Sequence, residues 1–294
     1  MKWRKIALCV LALVFLGSAG MLGYELLQYG AGDAVYDEAS DLAQVPTLPP
    51  LPEELPEEPV TPETKPVYVD PYADLLRNMD FTALQKVNQQ VQGWILIPNT
   101  ALSYPLLQGE DNDYYLSHTY QKTRSAVGAI FMDYRSAADL SDFNTLIYGH
   151  RMNNGSMFAS LKYYKKQSYW QKHKTVYLTT SAGSFAYEIF SAYEGSASGE
   201  SYRRTFQSDE KKQAFLDFAV GASVIKTGIT PTVNDSILTL STCTGNGHAN
   251  RLIVHAVRKN YAPSDAAEAV PEPEVPEPAA PPVPPAPEGT GATD

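Results

Sequence analysis

"SILTLSTCTGNGHANRLIVHAV", residues 236 to 257, consists of two β-rich apolar runs joined by six residues, 244 to 249, that include two glycines and an asparagine. Ser236 to Thr242 reads as a strand, and a second begins at Asn250 or Arg251. If the two pair as a hairpin, Cys243 at the end of one and Arg251 at the start of the other share one edge of a sheet. Working outward, "GWILIPN", "GAIFMD", "NTLIYG", "KTVYLTT" and "FAYEIFSAYE" are further short β-rich runs, separated by Gly, Asn, Asp and Ser. "YADLLRNMDFTALQKVNQQV" has near-helical apolar spacing and predicts one or two short helices. "SDEKKQAFLDFAV" predicts a helix capped by Ser208 or Asp209, with Phe215, Phe218 and Ala219 on its buried face. Helices do not alternate with strands, so the fold is mainly β, a barrel or a sandwich, and not a doubly wound parallel sheet.

The 294 residues are unevenly composed. Residues 33 to 70 carry ten acids and one base, residues 262 to 294 seven acids and no base, and the body from 71 to 261 has 19 bases and 15 acids. A mildly basic domain thus lies between two acidic arms, and the formal net charge of −10 describes the arms. No basic cluster interleaved with aromatics is present, which argues against nucleic acid as a partner. Lys2, Arg4 and Lys5 precede an apolar run from Ile6 to about Leu22. That pattern is a signal peptide or a membrane anchor, and its length favours an uncleaved anchor over residues 1 to 24. Positive charge stays in the cytoplasm, so the rest of the chain is expected outside a single-pass membrane segment. Residues 25 to 70, with prolines from Pro46 to Pro66 among glutamates, read as an acidic linker and a spacer that holds the domain away from the membrane. Residues 71 to 261 are the folded domain, and 262 to 294 an acidic, proline-rich disordered tail.

Cys9 reads as an apolar membrane residue, which leaves Cys243 alone in an exported domain. Exported cysteines usually pair, so a lone one is either a buried structural residue or a reactive thiol. A thiol nucleophile needs a proton partner, and histidine titrates near neutrality. His255 shares the alternation of Arg251 but stands four residues, about 13 Å, along the strand, and reads as a satisfied sheet histidine. His118 and His173 sit in polar helix-end settings, and His248 lies in the loop after Cys243. His150 follows the strand "NTLIYG" directly, at a strand-to-loop junction of the kind that displays catalytic groups on a rigid scaffold. Arg251 offers a permanently charged fork of donors for a carbonyl or oxyanion. "EDNDYY" lacks the later glycine and glutamate of a calcium loop, so Asp111 or Asn112 is read as a helix cap.

"TLSTC" with Arg251 downstream, "YGHRM" upstream, and "NQQVQGWILIPNTALSYPLLQGEDNDYYLSH", "GAIFMDYR" and "NTLIYGHRMNNGSMFASLKYY" resemble the sortases, the class B branch in particular. The resemblance covers roughly Tyr72 to Lys259. It implies an eight-stranded sortase-type β-barrel with N-terminal helices and a helix-bearing insertion before the cysteine strand. It further implies a membrane-anchored cysteine transpeptidase of Gram-positive bacteria, with Cys243 as nucleophile, His150 as general acid then base, and Arg251 on the substrate carbonyl and oxyanion. No cofactor and no metal are implied. The expected partners are surface proteins bearing a sorting signal, cleaved after its Thr, and an amine of a peptidoglycan precursor or of a pilin lysine. Arg151 stands where class B members often carry Asn, and the tail past the last strand is unusual. Pilus assembly, release of the thioester to water as in a cysteine peptidase, and a non-catalytic surface scaffold are the competing readings.

Overall fold

The structure is a computed structural model that describes residues 2–49, 72–181, 183–243 and 249–259. Among the described residues eight strands close into one barrel. They are β1 (Val91–Leu96), β2 (Ser103–Gln108), β3 (Ile130–Met132), β4 (Asn144–Tyr148), β5 (Thr175–Thr180), β6 (Gly183–Ser196), β7 (Ile237–Cys243) and β8 (Asn250–Arg258). Around the barrel the order is β1-β2-β3-β4-β7-β8-β6-β5, with β2–β3 and β4–β7 parallel and the other pairs antiparallel. Closure removes exposed sheet edges, and the fold is the mainly-β barrel expected from the sequence.

Strand alternation builds two separate cores. Inward positions such as Ile147, Leu238, Leu240, Leu252, Val254 and Ala256 join Ile95, Leu106 and Leu178 in the barrel interior. Outward positions Ile237 and Val257, with Phe190, pack under helix α5 (Asp209–Ala222) through Phe215, Leu216 and Ala219. Each fully buried side chain of that size contributes about 2 kcal/mol of transfer free energy. Ser208 does precede α5, but Phe218 is 43% exposed and Leu216 takes the buried place expected for it. Gly93 of β1 lies so close to β5 that a Cβ there would be 2.0 Å from the Thr179 carbonyl oxygen, so only glycine fits.

The N-terminal segment differs from the sequence expectation. Helix α1 runs without a break from Lys2 to Leu42. Its C-terminal half packs on the barrel through Tyr36, Ala39 and Ala43, with Tyr29, Val35 and Leu42 at the margin. The chain from 29 to 45 is therefore part of the domain's packing, where the sequence predicts an acidic linker from residue 25 onward. After the helix, the Tyr72 hydroxyl donates to the Pro49 carbonyl at 2.6 Å, bringing the two ends of the segment 50–71 together. Residues 50–71, and the tail expected at 262–294, lie outside the described residues. Two short helices follow Tyr72, α2 (Ala73–Arg77) and α3 (Thr82–Val87), as the spacing predicts, and a further short helix, α4 (Gln167–Lys172), precedes β5.

Candidate active site

The hairpin inferred from the sequence is present in register. β7 pairs antiparallel with β8, and its last partners are Ser241 with Ile253, Thr242 with Leu252, and Cys243 with Arg251. On the other side β7 runs parallel to β4, where Tyr148 is level with Ser241. The ladder continues one residue further, because Gly149 N–H donates to the Ser241 carbonyl at 3.3 Å. His150 is the next residue after Gly149, as Cys243 is the second after Ser241. Three neighbouring strand ends thus carry His150, Cys243 and Arg251 at one level, with neighbouring strands about 4.8 Å apart.

His150 is tied down from both ends. Its carbonyl accepts from Phe158 N–H at 2.8 Å, and its Nε2 lies 2.6 Å from the Leu116 carbonyl oxygen. A carbonyl only accepts, so Nε2 carries the proton in that bond and Nδ1 is the nitrogen left to exchange one. The loop beneath is Gly128, at φ +57°, where a Cβ would stand 2.6 Å from the Tyr115 oxygen and 3.0 Å from the His150 ring. Arg251 is half-buried, and its Nη1 donates to the Asn250 carbonyl at 3.2 Å.

Below these three positions the outer face of the wall is polar and fully bonded. Asn144 Nδ2 donates to the Arg203 carbonyl at 2.8 Å, which turns Oδ1 toward Thr239 Oγ1 at 2.6 Å. Thr239 must donate there, so it accepts from His255 Nδ1–H at 2.8 Å. His255 Nε2 then accepts from the Tyr193 hydroxyl at 2.9 Å, and Tyr193 accepts from Ser201 at 2.7 Å. This chain has a donor for every acceptor only while His255 is neutral. Burial pushes the His255 imidazole down to about 3. Nearer the site, the Tyr202 hydroxyl bonds Ser241 Oγ at 2.6 Å, and its ring stacks on Tyr148 at 6.4 Å. The Tyr148 hydroxyl donates to Asp133 at 3.0 Å. Burial alone would raise the Asp133 carboxyl, but hydrogen bonds from Arg135, Asn112 and Tyr148 hold it well below the usual carboxylate range.

A family model for the sortase domain matches residues 95–259. The chain is 38% identical over 163 residues to Sortase B of Staphylococcus aureus, an alignment that takes in 55% of this chain and 67% of that one. The chain belongs to the sortase family, in its class B branch. Two solved structures agree. A Staphylococcus aureus sortase B–substrate complex superposes with a TM-score of 0.59 at 35% identity, covering 62% of this chain and 85% of the other. Sortase B of Bacillus anthracis in complex with AAEK1 superposes with a TM-score of 0.64 at 32% identity, covering 79% and 98%. The chain is accordingly a sortase transpeptidase.

The other histidines among the described residues of this sortase, His118, His173 and His255, have structural partners. His118 stacks on Tyr114 and bonds its carbonyl at 2.9 Å, His173 Nδ1 meets the Pro98 carbonyl at 3.2 Å, and His255 is buried. His248 lies outside the described residues. Asp111 caps as expected, its Oδ1 accepting from Asp113 and Tyr114 N–H, although the turn it starts, Tyr114–Leu116, is 3-10 and not α. Sequence reasoning missed the contribution of α1. Tyr36 bonds the Gly128 carbonyl beside His150, and Asn154 of the loop after His150 bonds Asp33 at 3.3 Å. The signal was a Tyr29, Gly32, Tyr36, Ala39, Ala43 stripe at helical spacing, hidden by its small residues.

Proposed function

We propose that this sortase is a membrane-anchored, single-pass enzyme whose domain faces the cell exterior and joins surface proteins to a cell-wall precursor amine. Cys243 attacks the carbonyl of the sorting-signal threonine. The C–N bond breaks, His150 as imidazolium protonates the departing amine through Nδ1, and the acyl group stays on sulfur as a thioester. His150, now neutral, accepts a proton from the incoming amine, which attacks the thioester, and the C–S bond breaks to return the Cys243 thiolate beside the imidazolium. Arg251 donates to the oxyanion formed in each step. The observation that carries these roles is the level alignment of 150, 243 and 251 on β4, β7 and β8. The anchor is supported by α1, which has a stretch long and apolar enough to cross a membrane.

The decisive experiment incubates the enzyme with a panel of sorting-signal peptides and amines, followed by mass spectrometry. An acyl adduct on Cys243 and an amide with one amine are expected, and Cys243→Ala should abolish both while unfolding at the same temperature. Cleavage retained by Cys243→Ala would overturn the assignment. Acid product alone in the presence of every amine would favour the hydrolase reading, and an amide only with a pilin lysine would favour pilus assembly.

A further inference from the structure

We propose that α1 is a single strut holding the catalytic edge against the membrane surface, so that acyl donor and amine must both be presented within about 15 Å of the outer headgroups, a height that follows from helical rise. This rests on the membrane-anchor reading above. From Ile6 to Leu27 the large apolar side chains are exposed, with Leu27 still at 74%, and Glu25 is the one charged residue in that run. Twenty-two helical residues span about 33 Å, which matches a hydrocarbon core of about 30 Å. Packing on the barrel begins at Tyr29. Between the last lipid-facing residue and the first barrel contact there are only about 3 Å of helix.

The contacts that follow flank the catalytic histidine. Gly32 is pressed against Val127, where a Cβ would meet Cγ1 at 2.7 Å. Asp33 holds Asn154, Tyr36 holds Gly128, and Glu38 accepts from Gln121 at 3.0 Å. Tyr36 stands nine residues beyond Leu27, a rise of about 14 Å, and any tilt of the helix brings it closer to the lipid. A flexible tether would let the domain sample many heights, whereas an unbroken helix with a packed stripe allows one.

The test uses the full chain in a supported bilayer and reads the protein density profile by neutron reflectometry. The wild type should show domain density starting at the headgroups with no solvent layer between. Seven alanines inserted between Leu27 and Gln28 add about 10 Å while keeping the helix face within about 20°. The domain density should move outward by that amount, and cleavage of a soluble sorting peptide should stay within twofold. A second variant replacing Gln28, Tyr29 and Ala31 by glycine should smear the profile. A wild-type domain already separated by a solvent layer, or an insertion that leaves the profile unmoved, would overturn the strut. Failure of the wild type to float with vesicles would overturn the anchor reading and the strut with it.

Discussion

The two faces of β7 are built by opposite rules. Inward, Leu238 and Leu240 meet Val254 and Ala256 in an apolar interior. Outward, Thr239 and Ser241 are buried but bonded to His255 and Tyr202, and this alternation leads to Cys243. One strand thus supplies cohesion on one side and directional order on the other. The inner face is held by close, non-directional packing, while the outer face fixes each group by a hydrogen-bond partner.

Breaking the inner face should cost most. Leu240→Ala should lose about 3 kcal/mol in urea unfolding, with turnover per folded molecule little changed. Gly128→Ala comes next, because its positive φ and the close Tyr115 oxygen leave no room for a methyl group. About 2 kcal/mol should be lost, and kcat should fall more than KM rises, since the His150 ring must move. A Gly128→Ala enzyme with unchanged kcat would show that the loop does not position the histidine.

The outer face should respond to pH where the inner cannot. His255 is neutral when folded, with its pKa pushed down to about 3, while an unfolded chain takes up the proton near 6.5. Stability present above pH 6.5 is therefore lost as pH falls toward 3, with a slope approaching about 1.4 kcal/mol per pH unit. Asp133, also held low, adds its own loss only below about 3.9, the unfolded value. His255→Gln should flatten the slope between pH 6 and 4, measured by urea titration at each pH. The smallest effect is expected from Tyr202→Phe, which removes one bond to Ser241. It should cost about 1 kcal/mol and lower turnover less than tenfold, and no change in either would reduce that contact to packing.

How much of this was legible follows from what each signal depends on. β7, β8 and the level of Cys243 with Arg251 were readable because a short glycine-bearing loop leaves little choice of register. β2 was not among the runs singled out as strands, since Pro105 lies in its middle. The ladder to β3 begins only at Leu106, so the missing N–H costs nothing there. In α5, Leu216 and Phe218 flank the Phe215–Ala219 stripe on opposite sides, and only the packing decides which one is covered. The docked half of α1 was hidden because glycine and alanine carry little hydrophobic signal, while Asp33, Asp37, Glu38 and Asp41 on the remaining surface suggested a linker. His150 was placed by its junction, but its alignment with Cys243 required the parallel β4–β7 pairing, which joins strands far apart in sequence.

The bond between Tyr72 and Pro49 fixes two points of the chain that have 22 residues of sequence between them. Chain added between two fixed points is cheap, since each doubling of its length costs only about 0.6 kcal/mol of closure entropy. The enzyme therefore carries a port at which a tag, a binding peptide or a whole domain can be spliced in, leaving both the barrel and helix α1 undisturbed.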